Sequence, residues 1–392
     1  MKRLLIALTC VLGCLPMMAQ RHHVVLDRAE EQPFDYTVAV PDGNYRVTVT
    51  LGSKRRAAQT VVRAESRRHF ADLTPTKKGQ LTTVTFTVNK HSPRIDDQTT
   101  VRLKPREWTY RNWDDSLTLS FCGPSPAVHD ITIEPDTMAT TLFLCGNSTV
   151  VDQENEPWAS WGQMITRWFQ PSVCVANYAE SGLSATTFLA QGRLDKILTQ
   201  LRPGDYVVCE FGHNDEKEHR PGDGAWYSYT RNLKIFVDRV RHQGGHVVFV
   251  TPTARRFFNA DHRTLRPTHG DYPEAMRTVA RREQVPLIEL NQMTRTFYET
   301  LGEEGSKQAL VHYPANTFAD QPRALADNTH FNPFGACEVA KMVVMGLKQL
   351  GLPLADHLRP EWTDYSPAAP AAPSLFRWYP ASGSNLVKPD GN

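Results

Sequence analysis

The chain has 392 residues, with 44 Lys and Arg against 42 Asp and Glu and a formal net charge of +2. That length predicts two domains, each large enough to bury its own core. Near-balanced charge argues against electrostatic capture of a polyanion such as nucleic acid.

Residues 1–19 open with Lys2 and Arg3, continue through an apolar run at 4–18 and close on the small Ala19. This is the layout of an export signal, and the run is too short for a permanent membrane-spanning helix. A secreted or periplasmic protein is expected, cleaved near Ala19. Val11-Leu12-Gly13-Cys14 resembles a bacterial lipobox, so a lipid anchor on Cys14 is the less favoured alternative. Loss of the signal takes the formal charge to zero and leaves Cys122, Cys145, Cys174, Cys209 and Cys337. An odd number cannot all pair within one chain, and Cys145 and Cys209 sit in apolar runs as small hydrophobes. A disulfide-dependent fold is not expected. No later stretch is apolar enough to span a membrane.

Residues 21–135 alternate polar and apolar positions in short runs at 45–50, 84–88 and 117–121, divided by turn words such as Pro41-Asp42-Gly43-Asn44. The pattern predicts an antiparallel β-sandwich, an accessory domain that resembles galactose-binding-like modules in its strand pattern alone. From 138 to 355 apolar strands (140–145, 206–211, 247–250, 286–290) alternate with amphipathic helices (161–168, 190–201, 227–243, 272–283, 335–350). That grammar predicts an α/β domain, a parallel sheet covered by helices on both faces, with its site at the carboxyl ends of the strands. The Pro- and Ala-rich tail, 356–392, is too broken for a regular element, and Trp378 and Tyr379 are candidates to dock it.

Four words carry the chemistry. Cys145-Gly146-Asn147-Ser148-Thr149 puts Ser148 on the turn after a strand, where a hydroxyl can act as a nucleophile. Glu180-Ser181-Gly182-Leu183 supplies a Gly whose backbone N–H can closely approach a substrate oxygen. Phe211-Gly212-His213-Asn214-Asp215 places the Asn214 amide at a strand end, suited to a developing oxyanion. Asp327-Asn328-Thr329-His330, read as a loop before the last helix, can present an acid and an imidazole together. Each of the first three words alone reads more readily as an ordinary loop, cap or turn.

In this order and spacing the four words resemble the blocks of the SGNH (GDSL-like) hydrolase superfamily, named for its Ser, Gly, Asn and His. The resemblance implies a flavodoxin-like three-layer α/β/α hydrolase domain. It implies catalysis by Ser148, His330 and Asp327, with an oxyanion hole of the Ser148 and Gly182 N–H groups and the Asn214 side chain, and no metal or organic cofactor. The local words are most similar to rhamnogalacturonan acetylesterase-like carbohydrate esterases over residues 140–350. The expected substrate is therefore an acetylated plant cell-wall polysaccharide, first rhamnogalacturonan (pectin) and second xylan. Two departures stand out: Asn147 replaces the Asp of the usual G-D-S word, and Leu183-Ser184-Ala185-Thr186 follows Gly182 where relatives carry Arg.

Other readings are weaker. The run His213 to His219 lacks the H-E-x-x-H spacing of zinc hydrolases, and no Walker A or G-x-G-x-x-G word follows a strand. The G-x-S-x-G elbow of α/β-hydrolases is absent around Ser148. Arg255, Arg256, Arg263 and Arg266 are candidates to bind an acidic uronic-acid backbone, and Trp158, Trp161 and Tyr227 to line a sugar groove. The alternatives are an acetylxylan esterase, a lipase or thioesterase of the same superfamily, or a non-catalytic carbohydrate-binding protein.

Overall fold

The computed structural model describes residues 20–381 together with Leu386, Lys388 and Asp390. The export signal expected at residues 1–19 lies outside the described residues. The amino-terminal part contains β1 (His22–Ala29), β2 (Phe34–Ala39), β3 (Gly43–Leu51), β4 (Ala58–Ala64), β5 (Arg68–Thr76), β6 (Thr82–Lys90), β7 (Ser116–Ser125) and β8 (Ala127–Pro135). It is followed by β9 (Thr140–Gly146), α1 (Trp161–Ile165), β10 (Val173–Asn177), α2 (Ala185–Ala190), α3 (Arg193–Leu198), β11 (Tyr206–Glu210), α4 (Thr230–His242), β12 (His246–Val250), α5 (Tyr272–Glu283) and β13 (Leu287–Ile288). The last elements are α6 (Leu290–Gly305), β14 (Leu310–Tyr313), β15 (Leu325–Phe331) and α7 (Pro333–Gln349).

Strands β10, β9, β11, β12 and β13 lie side by side in that order, all parallel. The central positions of β9, β10, β11 and β12 are apolar because these strands are covered on both faces. β9 sends Leu142 and Leu144 into a core with Trp161, Phe297 and Val343, and Phe143 and Cys145 into a second core with Phe188, Phe236 and Met276. β11 and β12 divide in the same way, as a two-residue period requires. Among the described residues, Cys122, Cys145, Cys174, Cys209 and Cys337 are free thiols. No helix there is long and apolar enough to cross a membrane.

The antiparallel amino-terminal strands do not close on themselves as a separate unit. β1, β8, β3 and β6 run antiparallel to one another, and β6 then pairs parallel with β10 through Val88 and Val175. Among the described residues, nine strands thus form one sheet, β1-β8-β3-β6-β10-β9-β11-β12-β13. A second antiparallel sheet, β2-β7-β4-β5, packs Leu117, Leu119 and Phe121 against Val47, Val49 and Ile133 of the first. This contact covers part of the β10 edge, which would otherwise present more unpaired backbone groups.

Two further elements differ from expectation. The strand expected at 286–290 is only Leu287–Ile288, and α6 begins at Leu290, burying Leu290, Thr294, Phe297 and Tyr298 along one stripe. The Asp327–His330 word lies on a strand, β15, rather than in a loop. β15 pairs with β14 so that the stretch from Ala326 to Phe331 faces only His312 back to Leu310. The surplus residues bulge, which lets Asp327 and His330 turn toward one side. The tail is docked by Trp378, whose ring lies 3.6 Å from the Arg63 guanidinium and whose indole N–H donates to Glu156 at 3.0 Å.

Candidate active site

Three loops leave the carboxyl ends of the neighbouring strands β10, β9 and β11, and the β15 bulge meets them. On the β9 loop the Asn147 carbonyl accepts the N–H groups of Val150 and Val151, both at 3.0 Å, closing a tight turn. The Asn147 side-chain oxygen accepts from the Thr149 N–H (3.1 Å) and hydroxyl (2.9 Å), while its amide donates to the Glu210 carbonyl at 3.4 Å. An amide therefore holds the block where relatives use a carboxylate, and it satisfies an acceptor that a carboxylate could not. Gly146 has no room for a side chain: a Cβ would lie 2.5 Å from Val150 Cγ2.

This turn presents Ser148, which is buried to 4% exposure. His330 Nε2 lies 2.8 Å from Ser148 Oγ, and His330 Nδ1 lies 2.7 Å from Asp327 Oδ2. Asp327 Oδ1 also accepts the N–H groups of Thr329 (2.9 Å) and His330 (3.0 Å), which fixes the bulge. Burial raises the Asp327 carboxyl pKa, but the hydrogen bond and charge of His330 with the two backbone donors outweigh it and hold the group well below the usual carboxylate range. An ionised carboxylate only accepts, so in the neutral imidazole Nδ1 carries the proton and Nε2 can accept from the serine hydroxyl.

Gly182 sits on the β10 loop with φ of 79°, a conformation that favours glycine. Asn214 sits on the β11 loop, its amide donating to the Leu183 carbonyl at 3.0 Å and its oxygen accepting from Lys217 at 3.3 Å. Asp215 ties these two loops together, one oxygen accepting the Gly212 N–H and the other the Ala185 N–H, both at 2.8 Å. Gln153 joins the β9 and β10 loops: its amide donates to the Ser148 carbonyl at 2.8 Å and reaches Ser181 Oγ at 3.4 Å. Glu210 supports the Ser148 turn from below, accepting from Thr149 Oγ1 at 2.9 Å and from the Trp161 indole. Burial pushes its carboxyl up to about 7 against these donors. Sequence reasoning missed Asp215, Gln153 and Glu210 as positioning groups. For Glu210 the available signal was an acid at the end of an apolar strand, where a charge needs a partner.

The remaining candidates separate. His213 is buried against His269 and Thr253, whereas His219 is exposed, so the pair does not share a site. Among the described residues no group of three His, Cys, Asp or Glu is arranged to hold a metal ion. Arg255 pairs with Glu216 at 2.5 Å, and Arg256 is buried on Ser306, Asn328 and the Glu303 carbonyl. Arg263 and Arg266 are exposed. Trp158 and Trp161 are core residues, while Tyr227 is exposed.

Residues 144–336 match the model of the GDSL-like lipase/acylhydrolase family. The chain is 41% identical over 219 residues to rhamnogalacturonan acetylesterase RhgT of Bacillus subtilis, an alignment covering 55% of this chain and 93% of that one. The chain belongs to the GDSL-like lipase/acylhydrolase family. It is a carboxylic ester hydrolase with the SGNH fold. A second relative, the probable rhamnogalacturonan acetylesterase YesY of B. subtilis, is 33% identical over 226 residues, 56% of this chain and 98% of that one. The uncharacterized esterase YxiM of B. subtilis is 26% identical over 322 residues, 81% of this chain and 75% of that one, so this likeness extends beyond the SGNH part.

Proposed function

We propose that this SGNH hydrolase is an exported serine esterase that removes acetyl groups from rhamnogalacturonan. The observation that carries the mechanism is the unbroken hydrogen-bonded chain from Ser148 Oγ through His330 to Asp327. Ser148 Oγ attacks the acetyl carbonyl while His330 Nε2 takes its proton. The N–H groups of Ser148 and Gly182 and the Asn214 amide receive the negative charge that develops on the carbonyl oxygen. His330 then protonates the departing sugar hydroxyl, and water repeats the sequence on the acetyl-enzyme to release acetate. The choice of polymer is supported by the likeness to RhgT and YesY. The basic, apolar layout of residues 1–19 supports export to where such a polymer is found.

Acetate release from acetylated rhamnogalacturonan and from acetylated xylan, measured side by side, tests the substrate. Faster release from rhamnogalacturonan is expected. Preference for xylan, or release from neither, overturns that choice. The acid limb of the pH profile tests the state of Asp327. Because its hydrogen bonds and the charge beside it hold Asp327 ionised far below neutrality, its own protonation should add no break near neutrality. Log kcat/KM on a small acetyl ester should therefore show no such break, and one that disappears in Asp327→Asn would overturn this.

A further inference from the structure

In the basic stretch after β12, Arg255 and Arg256 are taken up within the fold. A different cationic pair reaches the β10 loop from the amino-terminal part. Lys104 and Arg106 lie at the start of the short helical turn Pro105–Thr109. Both donate to the carbonyl of Ser181, the residue immediately before Gly182. Ser181 in turn meets Gln153, which holds the Ser148 carbonyl, so the pair stands beside the groups that surround the reacting ester.

The charges around this pair do not cancel among themselves. Arg106 also pairs with the buried Glu180, and Glu107 behind it is neutralised by Arg193 at 2.6 Å. Glu154, on the same wall, accepts from the Ser66 hydroxyl and has Arg111 and Arg67 as its cationic neighbours. Two cations against Glu180 leave one positive charge on side chains that are about one-fifth exposed. A carboxylate already answers it: Asp390 Oδ2 lies 3.1 Å from Lys104 Nζ, and Asp390 Oδ1 lies 3.1 Å from Arg106 Nη1. One carboxylate bridging two cations is the geometry by which such a pair recognises an acid.

We propose that Lys104 and Arg106 form a carboxylate subsite that binds a uronic acid unit of the polymer beside the oxyanion-binding Gly182, and that Asp390 occupies this subsite in the free enzyme. The inference rests on the proposed polyuronide substrate. It gives the amino-terminal part a role in specificity, because it supplies both cations. It also makes the tail residue a competitor of the substrate.

The test is inhibition of a small neutral acetyl ester's hydrolysis by a trimer of galacturonic acid, compared with the same trimer after its carboxyl groups are reduced to alcohols. Wild type should bind the acidic trimer about tenfold more tightly, as expected for a hydrogen-bonded charge pair. The Lys104→Gln, Arg106→Gln double variant should bind both trimers alike. Asp390→Asn should lower the inhibition constant of the acidic trimer about threefold, on the order expected for releasing a half-exposed ion pair. Equal inhibition of wild type by both trimers, or discrimination surviving in the double variant, overturns the subsite. Should the double variant not fold, the wild-type comparison and Asp390→Asn still decide. The ligand carries no acetyl group and the reporter is neutral. Discrimination without turnover of acetylated rhamnogalacturonan would therefore sink the substrate reading and keep the subsite, and the reverse result would sink the subsite alone.

Discussion

Ser148→Ala is expected to lower kcat on any acetyl ester by on the order of 10⁴- to 10⁶-fold, with KM little changed. In the proposed mechanism the substitution removes the one oxygen that both attacks the carbonyl and gives its proton to His330 Nε2, 2.8 Å away. The Asn147 turn that shapes the loop is made by backbone and Asn147 side-chain bonds, so the fold should survive, with an unchanged melting temperature. His330→Ala should cost about as much, and the double variant should be no worse than either single one, because the two groups act as a unit. Initial rates on a small acetyl ester, with the melting temperature as the control for folding, check this. Turnover by Ser148→Ala within tenfold of wild type would sink the serine mechanism, and with it the roles given to His330 and Asp327.

How much of this was legible in the sequence depends on the range of the interaction concerned. The parallel strands β9, β11 and β12 were readable because burial on both faces makes their central runs continuously apolar. The four words of the site were readable because each follows a strand or precedes a helix, where backbone geometry constrains the residue type. α6 went unread, although Leu290, Thr294, Phe297 and Tyr298 recur at helical spacing, because its first residue, Leu290, reads as the end of the preceding strand. The β15 bulge was not legible, because it depends on pairing with β14. Alternation marked β3, β6 and β7 among the amino-terminal strands but carries no information on which edge meets which. The join of β6 to β10 and the passage of Arg68 into the second half of the chain therefore appear only in three dimensions.

That join leads to the second large effect. Arg68 and Asp152 have fully buried side chains with Arg68 Nε 2.7 Å from Asp152 Oδ2. The Arg68 Nη1 group donates to the Asn89 carbonyl at 2.9 Å, and Nη2 to the Asn112 side chain at 3.1 Å. Asp152 takes further bonds from Asn112 at 3.2 Å and Asn177 at 2.8 Å. Arg68 begins β5 in the amino-terminal part, whereas Asp152 precedes Gln153, the residue holding the Ser148 carbonyl. Nearby, the Arg67 guanidinium donates to the carbonyls of Gln153 (2.9 Å) and Trp158 (3.1 Å). Arg68→Ala would leave the Asp152 charge buried without its main partner, a loss of about 3–5 kcal/mol. For a chain of this size that corresponds to a fall in melting temperature of roughly 4–6 °C. Because the disturbed segment carries Gln153, hydrolysis of a small acetyl ester should fall together with hydrolysis of polymer. An amino-terminal part serving only to target polymer predicts the opposite, namely small-ester turnover and melting temperature both unchanged in Arg68→Ala. Measuring the two together decides between a support for the Ser148 loop and a detachable binding module.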